Sequence, residues 1–262
     1  MFVWDTIYND FVGFLIVLCR TSGIFTFNPI FARNNVPNNI KAFMSVVFSV
    51  VMLASMGGRA AVPEFDGVAG FALIVVKELL IGLVFGFFTN LMITVILYAG
   101  EVMDTEIGLG MAKAYDPATG VTMPVFGNYF YYLFVLYFFL TNGHLTYIKL
   151  FSLTYDVIPL GYTITDNTTH IFYVIVMYMG TVLELALKFA MPVLAVELIV
   201  EVCMGIIMKA VPTIQIFVLN IQLKLIIGFI TIIAAARPMS EFIEHLFGIL
   251  WENLYTAANN FV

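Results

Sequence analysis

Charged residues are scarce in this sequence, and their scarcity excludes most soluble folds. Of its 262 residues, 62% are hydrophobic and 11% are charged, whereas about 25% charged residues is usual in a globular domain. So few polar groups cannot cover a water-facing surface of this size. The 17 acidic residues outnumber the 11 basic ones, which excludes a surface that binds nucleic-acid phosphates. We therefore expect membrane lipid as a neighbour and no nucleic acid as a partner.

Cysteine and histidine are also rare, which excludes two further classes of protein. Cys19 and Cys203 lie far apart in apolar runs and cannot form a disulfide framework. The three histidines stand in separate segments and show no metal-ligand spacing. No glycine-rich phosphate loop and no G-x-S-x-G serine occurs. The sequence therefore predicts no metal site, no cofactor and no enzymatic activity.

What the sequence does contain is a series of long apolar runs, each typical of a helix in a membrane. We predict helices over the following six runs: Phe11 to Phe27, Ala42 to Met56, Val68 to Ala99, Val125 to Lys149, Ile171 to Val211 and Ile214 to Ala236. At 1.5 Å per residue the third and fifth runs exceed a bilayer core about 30 Å thick. They are expected to tilt or break, and Pro192 is predicted to kink or divide the fifth.

A seventh helix is predicted near the C-terminus, after Pro238, with Ser240 as its N-cap. Its apolar residues recur at the spacing of one helix face, from Phe242 to Tyr255. The opposite face carries acidic residues, which anionic lipid headgroups would repel. This amphipathic helix is therefore expected to pack against protein.

Charged residues inside the apolar runs need a partner, because a charge exposed to lipid at mid-bilayer costs at least roughly 2.5–3.5 kcal/mol. Glu184 and Lys188 have the i, i+4 spacing of an intrahelical ion pair. Lys77 and Glu78 are adjacent and point in different directions, which favours contacts with other subunits over a mutual pair.

Glu197 and Glu201 also have i, i+4 spacing, and two carboxylates on one helix face repel each other. Lys209 and Lys224 are candidate cations for them. One interpretation makes the two acids contacts to neighbouring helices of a complex. The alternative is a secondary transporter or proton pathway that uses Glu197 and Glu201.

Gly82 and Gly86 form a GxxxG motif inside the third run. Because glycines let two helix backbones approach closely, the motif indicates tight helix packing.

The segment from Gly100 to Pro124 separates two strongly apolar runs and is long for a connection in a compact protein. Its apolar residues, Ile107, Leu109, Met111 and Tyr115 among them, need something to pack on. Methionine is flexible and suits a deformable seal. The segment is interpreted either as a functional loop or as a plain extramembrane connection.

Several short segments resemble segments of the FliR family, called SctT in virulence-type secretion systems. They occur in the family's order and are spread over nearly the whole chain. These segments are Ala99-Gly100-Glu101, Gly108 with Asp116-Pro117, Met123-Pro124, Thr141-Asn142-Gly143-His144-Leu145, and Pro212 with Gln215-Ile216-Phe217-Val218. The loop and the C-terminal pattern resemble the flagellar branch more than the injectisome branch.

The resemblance implies an all-α fold of long kinked helices and helical hairpins, membrane-associated and part of a helical hetero-oligomer. It implies one export-gate domain over residues 1–262. Residues 1–170 would be FliP-like helices, residues 171–236 a FliQ-like hairpin and residues 238–259 the amphipathic C-terminal helix. Neighbouring subunits, rather than lipid, would then satisfy the charges within the helices.

The resemblance also implies a structural, non-enzymatic subunit of the flagellar type III export gate. With FliP and FliQ it would form the entrance channel for unfolded exported proteins, in the bacterial inner membrane at the flagellar basal body. FlhB would be a further partner.

Residues 106–122 match the family's plug, which closes the channel, and this segment is called the gate loop below. Its predicted site residues are Ile107, Gly108, Leu109, Gly110, Met111, Ala114, Tyr115, Asp116 and Pro117. Met111 and Ala114 stand where some members carry aromatic residues, so Leu109, Met111 and Tyr115 would supply the bulk of this plug.

Overall fold

The computed structural model describes residues 2–27, 37–56, 63, 65–112, 114–116, 121–161, 168–210 and 216–260. Almost all of these residues are helical, which confirms the all-α prediction. The α-helices are α1 (Phe2–Phe27), α2 (Asn38–Ser55), α3 (Gly67–Ile107), α4 (Val125–Leu140), α5 (Gly143–Val157), α6 (Thr168–Ala210), α7 (Ile216–Ala234) and α8 (Ala236–Asn260). A 3₁₀ helix (Leu109–Ala112) and two short strands, β1 (Ala114–Asp116) and β2 (Val121–Met123), lie between α3 and α4.

The end of α3 differs from the prediction, which placed it at Ala99. The helix continues for two more turns because Ala99, Met103 and Ile107 lie on one face, and all three are fully buried. It ends where Gly108 adopts a φ of 90°, a conformation that glycine allows at a helix C-terminus. The predicted loop is therefore shorter than Gly100 to Pro124.

The predicted fourth helix, Val125 to Lys149, is wrong as a single element, because the run divides into α4 and α5. Asn142 adopts a left-handed conformation with a φ of 57°. Asparagine tolerates this conformation better than most residues do. The chain therefore turns at Thr141 and Asn142 despite the apolar residues on both sides.

Two other local predictions also need correction. Helix α6 runs through Pro192 without a division, so of the two predicted outcomes, a kink or a division, the division is wrong. Helix α8 begins at Ala236, so Ser240 lies inside the helix and its hydroxyl donates to the carbonyl oxygen of Arg237 at 2.8 Å. The helix therefore begins four residues before the predicted N-cap.

The residues fall into two compact units, each drawn from several parts of the chain. The first unit comprises residues 1–91, 139–177 and 250–262. In it, α1 and α2 pack together, and the rings of Phe25 and Phe48 lie 5.1 Å apart. Ile16 and Val17 of α1 are fully buried.

The second unit comprises residues 92–138 and 178–249. Its core is aromatic: the rings of Phe134 and Phe247 stack at 4.5 Å, and those of Phe130 and Phe189 meet edge to face at 5.0 Å. Leu246 of α8 is fully buried beside them. The apolar face of α8 therefore packs against protein within this unit, as its acidic outer face predicted.

Three helices are long and apolar enough to cross a membrane: α2, α3 and residues Ile175–Ala210 of α6. Counting the bent pair formed by α7 and α8 as one span would bring the number to four within the described ranges. These helices are compatible with a membrane-associated protein.

Candidate functional site

The second residue of the gate loop, Ile107, is firmly packed in the second unit. Ile107 is fully buried. Its side chain lies against α7 at Gly228, where a Cβ atom would come within 2.7 Å of the Ile107 Cγ1 atom. A larger residue at position 228 would therefore displace the start of the loop.

The far end of the loop is held by Asp104, which is fully buried. Its two carboxylate oxygens accept hydrogen bonds from the backbone N–H groups of Val125 and Phe126, the latter at 3.1 Å. These N–H groups belong to the first turn of α4 and have no partner within the helix. A carboxylate at this position also interacts favourably with the helix dipole. Asp104 therefore joins the end of α3 to the start of α4.

A glycine contact completes the base of the loop. A Cβ atom at Gly100 would overlap the backbone of Gly127, so α3 and α4 approach each other at a distance only glycine permits. Gly100, Asp104, Ile107 and Gly127 are called the loop base below. It holds the two ends of the gate loop together.

Between these ends lie the 3₁₀ helix and an antiparallel hairpin, in which Tyr115 is opposite Thr122. Leu109 is half-buried and Gly110 is exposed. Pro117 lies outside the described residues, and for Met111, Ala114, Tyr115 and Asp116 the description covers the backbone. The hairpin was not predicted from the sequence. The available signal was the turn-forming Asp116-Pro117 and Gly120, followed by β-branched Val121 and Thr122.

In the first unit, Glu78 forms an ion pair with a cation of the same chain. This corrects the prediction that Glu78 contacts another subunit. The Nε atom of Arg20 lies 2.5 Å from Oε2 of Glu78, and both side chains are almost fully buried. The two residues are 58 positions apart. Arg20 lies inside the first predicted helix, Phe11 to Phe27, and no role was predicted for it from the sequence.

This ion pair is surrounded by further hydrogen bonds. The Nη1 atom of Arg20 donates to the carbonyl oxygens of Thr154 and Ile158, at 3.1 and 3.0 Å. The N–H of Gly161 donates to Oε1 of Glu78 at 2.9 Å. The network therefore joins α1, α3 and the end of α5.

An aromatic ring covers the guanidinium. The ring of Tyr155 lies 4.5 Å from the Arg20 carbon atom between the guanidinium nitrogens, a cation–π contact. Burial raises the pKa of Tyr155 to about 12, so its hydroxyl remains protonated.

The GxxxG prediction is supported at Gly82, where α3 meets α1. A Cβ atom at Gly82 would overlap the carbonyl oxygen of Arg20, and one at Gly23 would lie 2.6 Å from the carbonyl oxygen of Leu79. Gly86 is buried. Close approach of the two helices places Arg20 beside Glu78.

Two ion pairs involve charged residues of α6, one within the helix and one with α7. Glu184 and Lys188 form the predicted pair at 2.6 Å, with both side chains mostly exposed. Glu201 pairs with Lys224 of α7 at 3.5 Å, so Lys224 serves as its cation. Lys77 of α3, in the first unit, is half-buried.

Glu197 differs from these residues. It is fully buried, and within the described ranges neither of its carboxylate oxygens has a hydrogen-bond partner. No group of three or more potential metal ligands occurs in the described part of the chain.

The helices, their apolar faces and their buried charges define an all-helical membrane protein. The model of the family "Bacterial export proteins, family 1" matches residues 11–249, so the chain belongs to that family, the FliR family. Two similar curated proteins are both named "Flagellar biosynthetic protein FliR". The one from Bacillus subtilis is 24% identical over 95% of this chain and 96% of its own length, and the one from Escherichia coli is 28% identical over 90% and 89%.

Proposed function

We propose that this chain is a structural subunit of the flagellar type III export gate, in which it forms the entrance channel for unfolded substrates with FliP and FliQ. Membership of the export family and similarity to flagellar biosynthetic proteins support this role. The gate loop, residues 106–122, contributes the plug that closes the channel. The site of action is the bacterial inner membrane at the flagellar basal body, and FlhB is a further partner.

The observation that carries the plug proposal is the packing of the loop base. Asp104 is bonded to the first turn of α4, and Ile107 is buried against α7. The 3₁₀ helix and the hairpin lie between these fixed points. A segment with fixed ends can move aside for a substrate and return to the same place.

Closure by such a segment follows from the physics of narrow apolar pores. An apolar constriction excludes water and ions by dewetting, without forming a covalent or ionic seal. An unfolded polypeptide that threads the pore displaces the constriction. The energy for export is supplied elsewhere in the machine.

Exposed side chains on the helices supply the assembly surfaces. Large apolar side chains are exposed along α6, among them Ile199, Val202 and Ile206, each at least 64% exposed. The Glu184–Lys188 pair and Lys77 lie on accessible faces as well. FliP and FliQ would cover these surfaces in the assembled gate. The alternative of a secondary transporter has less support, because Lys224 already neutralises Glu201.

The test is deletion of residues 109–115 in cells that assemble the whole gate. We expect FliP and FliQ to co-purify with the variant, because the loop base is retained, while small ions and dyes leak through the membrane. Export of flagellar subunits is measured in the same cells. A tight membrane with normal export would refute the plug proposal.

A matched control is Glu241→Gln, which removes an exposed i, i+4 pair with Arg237 on α8. It should change neither leakage nor export. Loss of the complex in the deletion variant would show that the gate loop serves assembly and would refute its role as a separable plug.

A further inference from the structure

Two cavities in the first unit share a lining residue, Phe25 of α1. One of them has a volume of about 350 Å³ and lies between the last turns of α1 and the first turns of α2. Most of its lining residues carry hydroxyl, amide or ammonium groups: Ser22, Thr26, Asn38, Lys41 and Ser45. It is called the polar cavity below.

The other cavity, called the apolar cavity, has a volume of about 190 Å³. Its lining residues come from α1, α2, α4 and α5 and are mostly aromatic or aliphatic, among them Phe25, Phe48, Phe139, Ile148 and Phe151. An apolar cavity of comparable size, about 150 Å³, stays free of water and binds benzene. The apolar cavity therefore suits hydrocarbon better than water.

His144 also lines the apolar cavity. Its Nδ1 atom is buried and has no hydrogen-bond partner within the described ranges. A neutral imidazole carries a proton on one of its two nitrogen atoms, and this N–H group needs an acceptor. In the tautomer protonated at Nδ1, the oxygen atom of an ester group next to a hydrocarbon chain would supply that acceptor.

The order of the two cavities along α2 matches the depth profile of a membrane lipid. Lys41 in the polar cavity precedes Phe48 in the apolar cavity by seven residues, or about 10 Å of helix. The headgroup region of a bilayer is roughly 5–8 Å deep on each side of the hydrocarbon core. A phosphate beside Lys41 would therefore lie about one headgroup away from an acyl chain beside Phe48.

The outer face of α2 is also suited to lipid. Ser45, Ser49 and Met52 are its buried residues. Both serine hydroxyls donate to carbonyl oxygens one turn earlier in the same helix, at 3.0 and 2.6 Å. Small residues on the inner face are typical of a helix that packs within a membrane. The exposed residues of α2 are large and apolar, and include Phe43, Val47, Val50 and Val51.

From these observations we infer that the two cavities form one binding site for a phospholipid molecule. The ammonium group of Lys41 binds the phosphate, and one acyl chain of the same molecule occupies the apolar cavity. Lys41 is the only charged residue of α2, so this end of the helix attracts an anionic group. The site goes beyond the proposed function and does not depend on the gate loop, which belongs to the second unit.

The experiment is photolabelling of the chain, purified with the subunits that accompany it and reconstituted in phosphatidylcholine vesicles. Two probes carry the same photoreactive diazirine on an acyl chain. One is a phosphatidylcholine, and the other is a diacylglycerol, which lacks the phosphate. Peptide mass spectrometry measures the labelling of Phe151 in the apolar cavity relative to Val47, which reports the bulk lipid outside α2. This ratio is called the cavity signal.

Two variants, each with a matched control, test the two parts of the site. Ile148→Phe fills the apolar cavity, and its control is Leu145→Phe, at an exposed position of the same helix. Lys41→Gln removes the cation of the polar cavity, and its control is Lys149→Gln, at an exposed lysine of the same unit.

In the wild type, the cavity signal of the phosphatidylcholine probe should exceed that of the diacylglycerol probe by about two- to fivefold, the effect of a partly exposed ion pair. Lys41→Gln should abolish this preference, and Lys149→Gln should retain it. Ile148→Phe should remove the cavity signal of both probes because the added ring takes the space of the acyl chain, whereas Leu145→Phe should leave the signal unchanged.

Two results would overturn the inference. Absence of a cavity signal in the wild type would show that the apolar cavity holds no acyl chain. Equal cavity signals from the two probes, unchanged by Lys41→Gln, would show that the phosphate is not recognised. If Ile148→Phe failed to assemble, the two probes compared on the wild type and Lys41→Gln would still decide.

Discussion

The buried ion pair between Arg20 and Glu78 leads to a quantitative prediction for the substitution Glu78→Gln. Glutamine keeps a side-chain oxygen that can still accept the hydrogen bond from Gly161. The substitution therefore removes the negative charge and places an amide NH2 group, which cannot accept a hydrogen bond, opposite Nε of Arg20. Arg20 keeps its bonds to two carbonyl oxygens, but its charge stays buried without a counter-ion.

The magnitude follows from the burial of both partners. Removing one member of a buried ion pair costs about 3–5 kcal/mol, because an uncompensated charge remains in a medium of low polarity. An exposed pair costs much less, about 0.2–1 kcal/mol, because water solvates the remaining charge. Arg237 and Glu241 form such a pair, at 3.1 Å, with side chains 89% and 64% exposed. Glu241→Gln is therefore the matched control.

The assay is chemical unfolding of the purified complex in detergent, followed by circular dichroism and by protease resistance of the first unit. Glu78→Gln should lower the free energy of unfolding by several times the effect of Glu241→Gln. The double variant Arg20→Met with Glu78→Met should recover part of the loss, because it removes the isolated charge. Equal effects of the two single variants would show that the pair contributes no more than a surface pair, and would refute the reasoning.

Two further predictions concern the other close contacts. Gly82→Ala should destabilise the first unit by about 1–3 kcal/mol, because the added methyl group overpacks the helix contact. Gly180→Ala is the control and should be neutral or stabilising, because a Cβ atom at Gly180 meets nothing within 4 Å. Equal unfolding curves for the two variants would contradict the proposed helix contact. Asp104→Ala should cost about 1–2 kcal/mol as a lost helix cap, and the amides of Val125 and Phe126 should exchange hydrogen faster; unchanged exchange at both amides would rule out the cap.

Much of the secondary structure could be predicted from the sequence, because apolar runs and their periodicity depend on neighbouring residues alone. The Glu184–Lys188 pair was also predictable, since its partners are one turn apart on one helix. Helix ends were less predictable. The extension of α3 to Ile107 depends on burial of Met103 and Ile107, and the break at Asn142 depends on a single left-handed residue.

The partners of the buried charges could not be predicted in the same way. Arg20 and Glu78 are 58 positions apart, and nothing in the local pattern indicates that they meet. Asp104 was one of several acids in a segment interpreted as a loop, and its bonds to α4 form only once α3 and α4 are packed.

The sequence by itself determined that this protein is helical, rich in apolar surface and a member of the FliR family. Composition, periodicity and the order of the motifs can be recognised without any knowledge of tertiary contacts. Only the tertiary structure decided which charge is paired inside the chain and which has no hydrogen bond among the described residues. Glu78 and Glu197 look alike in the sequence, each an acid within an apolar run. Packing of α1 against α3 at Gly23 and Gly82 gives Glu78 its arginine. Lys224 instead pairs with Glu201, and Glu197 is buried without a hydrogen bond from any residue that the structure describes.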